Sequence, residues 1–152
     1  MAKRYTQTYG VDHLETFALI AKMNTARILL SLATNYNWDL QHFDVKNVFV
    51  YGDLKEKIYM KVSPRFGTNL ATNKGCKLRK ALYGLKQSPR VWFERFSKVM
   101  KNMGYRQSQG DHALFIKHSD LGGVTTLLVY VDDIIMIGND EKEWQNFKAV
   151  LD

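Results

Sequence analysis

The sequence contains a single cysteine, Cys76, among its 152 residues. One thiol cannot build a disulfide framework or a cysteine-based zinc site, so a reducing compartment is the default expectation. The opening residues carry no apolar signal core, and no apolar run approaches the ~20 residues that a membrane helix needs. We therefore expect a soluble, intracellular chain that is not secreted and has no membrane partner.

Histidine is also sparse, and His13, His42, His112 and His118 are too scattered to indicate Ser-His-Asp chemistry. His42 lies two residues before Asp44 and shares its face of an extended strand. A structural role for His42 is favoured over metal ligation. No internal repeat or low-complexity tract is present, which is typical of one globular domain.

The composition is that of a basic globular domain. Hydrophobic residues make up 45% of the chain and aromatic residues 12%, which is ample for a core. Twenty-two Lys and Arg against 15 Asp and Glu leave a formal charge of +7. This excess suits a polyanionic partner, although charge that serves only solubility gives the same count.

Apolar periodicity predicts an α+β fold. Helical spacing begins at Asn24 or Thr25, at Ser88-Pro89 and after Asn139, each of which offers an N-cap. Short apolar runs predict strands over 38–45, 57–62, 113–117, 125–131 and 134–137. This order favours a small antiparallel sheet with helices packed on one face, which leaves the other face free for polar side chains.

Two adjacent carboxylates, Asp132 and Asp133, interrupt the most apolar stretch of the chain. Apolar runs on both sides predict a hairpin with the pair at its tip. Carboxylates against an apolar core are costly unless they are paired, hydrogen-bonded or bound to a metal. An ordinary solvated turn is the alternative, because Asp is common in turns. Against it, tight two-residue hairpins favour Asn-Gly or Asp-Gly, and the next glycine is Gly138.

Asp44 is the natural third carboxylate, since it lies at the end of an apolar strand. Without the pair it would be assigned as an ordinary capping or salt-bridging residue. Three carboxylates from two neighbouring strands would make an oxygen-only site that suits Mg²⁺ or Mn²⁺. Two such ions are a recurring device of phosphoryl transfer.

Several short motifs follow one another from residue 16 to residue 135. They are Thr16-Phe17-Ala18, Ala21-Lys22-Met23-Asn24-Thr25, Phe43-Asp44-Val45-Lys46-Asn47, Gly52-Asp53-Leu54, Ile58-Tyr59-Met60, Lys80-Ala81-Leu82-Tyr83-Gly84-Leu85-Lys86-Gln87-Ser88-Pro89-Arg90, Trp92-Phe93, Asp111-His112 and Tyr130-Val131-Asp132-Asp133-Ile134-Ile135. Through this ordered series the chain closely resembles the reverse transcriptase domain of copia-type retrotransposons. A Tyr-x-Asp-Asp motif alone would be weak, but the whole series is specific.

The resemblance implies a polymerase palm with a ferredoxin-like core and partial fingers. Residues 39–56 and 88–152 would belong to the palm, and 1–38 and 57–87 partly to the fingers. It implies an RNA-directed DNA polymerase that binds an RNA or DNA template with its primer and deoxynucleoside triphosphates. It also implies two Mg²⁺ ions, for which Mn²⁺ could substitute.

The resemblance implies particular site residues as well. Asp44, Asp132 and Asp133 would be catalytic and, with the Val45 carbonyl, would ligate the metals. The implied substrate contacts are Phe49, Gln87, Ser88, Tyr130 and Val131, with Phe49 as an aromatic gate against the ribose 2′-OH, and the implied nucleic-acid contacts are Lys86 and Arg90.

We further expect a fragment of a larger polyprotein, whose remainder would supply thumb, RNase H and integrase. It would reside in the cytoplasm, within a virus-like particle, or in the nucleus, and it would be inactive alone. A non-catalytic or decayed nucleic-acid-binding module is the alternative function. A basic run of side chains would suit either function, and a plain solvated surface explains it equally. The run consists of Lys74, Lys77, Arg79, Lys80, Lys86 and Arg90.

Overall fold

The computed structural model of the chain describes residues 20–45, 54, 57–61 and 75–151. The chain divides into two compact units. One is formed by Met1–Ala18 with Asn47–Arg95, and the other by Leu19–Lys46 with Phe96–Asp152. None of the described helices is long and apolar enough to cross a membrane.

The described part of the chain has an α+β fold, as predicted. Its elements are α1 (Met23–Tyr36), β1 (Asp39–Asp44), β2 (Tyr59–Lys61), β3 (Gly75–Lys77), α2 (Ser88–Asn102), β4 (Arg106–Gln107), β5 (Leu114–His118), β6 (Val124–Tyr130), β7 (Asp133–Gly138) and α3 (Glu141–Leu151). Five strands form one antiparallel sheet in the order β1-β7-β6-β5-β4, and β2 pairs with β3 separately. The neighbouring order β1-β7-β6, with α2 between β1 and β6 along the chain and α3 after β7, fits a ferredoxin-like core.

One face of the five-stranded sheet carries the core. Strand alternation places Phe43, Phe115 and Ile134 on this face. Phe147 of α3 meets Phe43 edge to face with ring centroids 5.4 Å apart, and Phe96 of α2 meets Phe115 similarly at 5.5 Å. Phe115, Ile134 and Phe147 are fully buried. Helix α3 and the part of α2 that begins at Phe96 therefore pack on the same face, as predicted.

Helix α2 has the predicted C-terminal end, but Ser88, the predicted N-cap, is already its first helical residue, and the Ser88 hydroxyl donates to the Leu82 carbonyl. The helix begins at Ser88 and runs to Asn102. Gly104 then adopts the left-handed conformation, with φ at 88°. The next N–H, that of Tyr105, donates to the Met100 carbonyl at 3.0 Å, which closes the helix in a Schellman-type cap.

The predicted N-caps of the other two helices are wrong. Helix α1 has Lys22 at its N-cap position, and no side chain of that residue caps it. Helix α3 is capped by Asp140, whose Oδ1 accepts the Glu143 N–H at 3.2 Å. Asn139 instead accepts the Val124 N–H at 2.8 Å and so closes the end of the β6–β7 pair.

A buried carboxylate, that of Asp111, caps α1 from a distant part of the chain. Its Oδ2 accepts the backbone N–H of Lys22 at 2.9 Å, and its Oδ1 accepts that of Ala113 at 3.0 Å. Burial of the Asp111 carboxyl favours its neutral form, but hydrogen bonds from Thr25, Lys22 and Ala113 outweigh burial and lower its pKa. Asp111 thus joins the start of α1 to the sheet in its ionised form.

Candidate active site

The β6–β7 hairpin turns tightly at Val131 and Asp132. Asp133 is already the first residue of β7 and pairs with Tyr130, so the two aspartates do not both lie at the tip as predicted. The turn has two residues although no glycine is present. Pairing of Tyr130 with Asp133 on one side, and a 2.9 Å hydrogen bond from the Val45 N–H to the Asp132 carbonyl on the other, hold the turn closed.

Val131 carries the strain of this turn. Its φ is 56°, a left-handed value that in a two-residue hairpin turn is normally taken by glycine. A β-branched residue in this conformation is a genuine outlier, with a cost on the order of 1–3 kcal/mol. Such strain persists only where the surrounding pairing imposes it, and it is common at catalytic sites.

Asp44 lies directly opposite Asp133 in the register of β1 with β7. Because Val45 bonds to Asp132 at the adjacent position, Asp44 and Asp133 form a non-hydrogen-bonded pair, whose Cα atoms typically lie about 4.5 Å apart. Side chains of such a pair lie on the same face and are close together. The backbone therefore brings Asp44 to Asp133, and the approach of the Asp132 side chain to these two stays a prediction.

His42 contacts Asp133 directly. Its Nε2 lies 2.7 Å from Oδ1 of Asp133, and the two side chains are 57% and 44% exposed. The Nε2–H donates, because an ionised carboxylate only accepts. Sequence reasoning placed His42 on the face of Asp44 but missed Asp133 as its partner. The available signal was the spacing of two residues between His42 and Asp44.

The donor types at this site fit a hard divalent cation. Asp44, Asp132 and Asp133 offer carboxylate oxygens, which Mg²⁺ and Mn²⁺ prefer. Among the residues that the structure describes, no group of three or more His, Cys, Asp or Glu side chains is arranged to hold a metal ion. The backbone thus brings Asp44 and Asp133 together, and the described residues do not form a ready three-ligand cage.

Tyr130 and Val131 are the other residues of this unit that are predicted to contact substrate. Tyr130 is 50% exposed and, as the partner of Asp133, shares its face of the sheet. Val131 is partly exposed in the turn. Both are accessible, and their predicted contacts with substrate stay predictions.

Four other predicted residues belong to the unit that contains Asn47–Arg95. Gln87 and Ser88 are buried, and the Ser88 hydroxyl donates to the Leu82 carbonyl at 2.7 Å. Lys86 is partly exposed, and Arg90 Nε lies 3.8 Å from Oε1 of Glu94. Their roles in binding stay predictions.

Two predicted residues fall outside the described ranges, namely Phe49 and Lys74. Within those ranges, Lys77, Arg79 and Lys80 of the basic run are exposed. An exposed set of cations is compatible with a nucleic-acid surface and with a plain solvated one.

The whole chain, residues 1–152, matches the family model described as reverse transcriptase (RNA-dependent DNA polymerase). The chain belongs to this reverse transcriptase family. It is 40% identical over 140 residues to the Retrovirus-related Pol polyprotein from transposon RE1 of Arabidopsis thaliana, with 92% of this chain and 10% of the relative covered. These matches confirm the predicted resemblance to copia-type reverse transcriptases.

Two further relatives are similar to the chain over nearly the same length. The Retrovirus-related Pol polyprotein from transposon TNT 1-94 of Nicotiana tabacum is 37% identical, with 93% of this chain and 11% of the relative covered. The Truncated transposon Ty1-A Gag-Pol polyprotein of Saccharomyces cerevisiae is 31% identical, with 90% and 11% covered. The chain thus spans about a tenth of the length of these curated relatives. No solved structure matches it significantly.

Proposed function

We propose that this reverse transcriptase chain carries the metal-binding carboxylates for two-metal transfer of a nucleotide onto a primer 3′-OH. The observation that supports it most is the direct pairing of Asp44 with Asp133, beside the turn that carries Asp132. Like charges brought this close are costly unless a cation offsets them. We propose that a divalent cation bound between these carboxylates offsets their charge.

The roles of the chain's own residues follow from the backbone. Asp44 and Asp133 come from neighbouring strands, so their relative position is fixed by the sheet. Asp132 is held by the strained turn, and the Val45 carbonyl is a proposed further ligand. When bound, two divalent ions supply charge neutralisation at the reacting phosphate and stabilise the attacking and leaving oxygens. The protein then needs to position the reactants and needs no nucleophile of its own.

The proposed partners are an RNA or DNA template with its primer and deoxynucleoside triphosphates. Tyr130 and Val131 would lie near the primer end, and Phe49, Gln87 and Ser88 near the nucleotide. Lys86 and Arg90 would contact the nucleic-acid backbone. The matched relatives are Pol polyproteins, which supports the remainder of such a polyprotein as a further partner.

We propose that the 152 residues alone extend a primer poorly. Well-positioned reactants can contribute about 7–11 kcal/mol of a reaction barrier. The curated relatives are about ten times longer than this chain. We propose that positioning of primer and nucleotide needs residues of such a polyprotein outside the matched tenth. Robust extension by the isolated chain with Mg²⁺ or Mn²⁺ would contradict this part of the proposal.

A nucleic-acid-binding module without catalysis is the second candidate function. It is supported by the formal charge of +7 and by exposed Lys77, Arg79 and Lys80. Both candidates predict binding to nucleic acid that weakens with salt. Only the polymerase predicts that the three aspartates bind a divalent metal.

Calorimetric titration of the chain with Mn²⁺ separates the two candidates. We expect weak binding to the wild type, because such ions usually recruit substrate phosphates as well. Asp132→Asn should lose most of the binding heat, since it removes one carboxylate. The control is Asp39→Asn, which changes an exposed aspartate at the opposite end of β1. Equal binding by wild type and Asp132→Asn would reject the metal site.

A further inference from the structure

We infer that His42 is a positioning residue for the metal site, because it holds Asp133 by Oδ1 and leaves Oδ2 for a divalent cation. This inference rests on the proposed function. Within the described part of the chain, the hydrogen bond to His42 is the contact that orients the Asp133 side chain. His42 touches neither substrate nor metal in this role and acts through the aspartate.

The contact arises from the register of β1 with β7. His42 is paired with Ile135, and Asp133 is paired with Asp44, so His42 and Asp133 are diagonal neighbours on one face. Long side chains reach such diagonal partners. The separation of 2.7 Å is at the short end of the range for N–H···O hydrogen bonds, as expected for a carboxylate acceptor.

Burial does not force this contact. The His42 side chain is 57% exposed and has water as an alternative partner. An imidazole that nevertheless meets the carboxylate is oriented by the hydrogen bond itself. The bond requires only that Nε2 carries a proton, and either state of Nδ1 allows this.

Orientation matters here because Asp133 is surrounded by like charge. Asp132 precedes it and Asp44 lies opposite, so an unrestrained Asp133 carboxylate would rotate away from both. A donor fixed on one oxygen limits this rotation. Residues that hydrogen-bond to metal-ligating groups commonly change metal affinity by about 10–100-fold when they are removed.

The contact itself is tested by nuclear magnetic resonance on the 152-residue chain without metal. Long-range ¹H–¹⁵N spectra report the ring nitrogens of each histidine. Asp133→Asn should shift the Nε2 signal of His42 and leave that of His118 unchanged. His118 is the matched control because it is exposed and pairs with Val124, at the end of β6 opposite to Tyr130.

The role is tested by Mn²⁺ titration followed by electron paramagnetic resonance. His42→Ala should bind Mn²⁺ about tenfold more weakly than the wild type. This is the lower end of the range given above, because the site is exposed. His42→Gln, which keeps a side-chain N–H donor, should recover most of the loss, and His118→Ala should bind as the wild type does. Thermal unfolding of His42→Ala should match the wild type, which separates lost positioning from lost folding.

The outcomes separate this inference from the proposed function. Equal Mn²⁺ affinity of His42→Ala and wild type overturns the inference, and so does tighter binding, which would make His42 a competitor of the ion. If Mn²⁺ binding is normal but Asp133→Asn leaves the Nε2 signal of His42 unchanged, the inference alone is overturned. If that signal does shift but the wild-type chain binds no Mn²⁺, the proposed metal site is rejected, and the role of His42 toward it fails as well.

Discussion

Replacement of Asp111 by alanine should destabilise the unit that contains the five-stranded sheet by about 1.5–5 kcal/mol. The carboxylate accepts the N–H groups of Lys22 and Ala113 and lies 6% exposed. The Ala113 residue is 1% exposed, so its N–H would stay unsatisfied, at about 1–3 kcal/mol. Lys22 is exposed, so water would replace its partner, and the loss there is that of a helix cap, about 0.5–2 kcal/mol.

Urea unfolding followed by circular dichroism at neutral pH measures this change. Asp111→Asn keeps one oxygen acceptor and should lose less stability than Asp111→Ala. Asp120→Ala is the control, because Asp120 is exposed in the β5–β6 turn, and its effect should stay within about 0.5 kcal/mol. Amide exchange of Ala113 should accelerate in Asp111→Ala. A free energy of unfolding equal to that of the control would refute the capping role.

The stabilisation by Asp111 should also depend on pH. Its pKa is lowered in the folded chain, so the folded state favours the ionised form. The contribution is therefore fully present above the unfolded-state pKa of the carboxyl and is lost as the pH falls through the lower folded-state pKa. The stability gap between wild type and Asp111→Ala should be widest near neutral pH and should narrow in acid. A gap that is constant with pH would contradict this assignment.

Three further changes follow from the structure. Phe147→Ala should cost about 3–5 kcal/mol in urea unfolding, because Phe147 is fully buried, whereas the exposed Val150 changed to alanine should cost far less. Gly138→Ala should lower the melting temperature, because its Cβ would meet the Val124 carbonyl oxygen, and an unchanged melting temperature would show that the strands shift freely. Binding of the chain to single-stranded RNA, followed by fluorescence anisotropy, should weaken steeply with salt, and a salt-insensitive affinity would favour a merely solvated basic surface.

The sequence predicts the place of each carboxylate within its own strand or turn, because this depends on local pattern. Alternation along β1 places Asp44 at a strand end, and the apolar runs around Asp132 predict the hairpin. The register that sets Asp44 opposite Asp133 is not local, and Asp44 was predicted as their partner because the two adjacent carboxylates needed a third. The C-terminal end of α2 is equally local, since Gly104 closes the helix, and Ser88-Pro89 predicts its start to within one residue. Each of these signals lies within a few residues of the feature it predicts.

Features that depend on distant partners were missed. The cap of α1 comes from Asp111, which is 89 residues away from Lys22 in sequence, and no local signal indicates it. The contact between His42 and Asp133 spans 91 residues and depends on the strand register. Strands β3 and β4 have only three and two residues, which is too short for a periodic pattern.

The hairpin turn was predicted at Asp132-Asp133, one residue later than the structure places it, for a different reason. Local propensity argues against a tight turn without glycine, and the structure forms one at the cost of a left-handed valine. Pairing on both sides of the turn overrides the propensity. Such a conflict between local preference and tertiary structure is expected at functional sites.

Primer extension tests the central claim most directly, with this chain placed in a copia-type Pol polyprotein in place of the matching segment. On an RNA template with Mg²⁺, the wild-type chimera should extend the primer, and Asp132→Asn should lose about a hundredfold to a thousandfold of the rate. Asp39→Asn, at the far end of β1, should extend at the wild-type rate. Extension by Asp132→Asn at the wild-type rate would contradict the assignment of the paired carboxylates as the catalytic site.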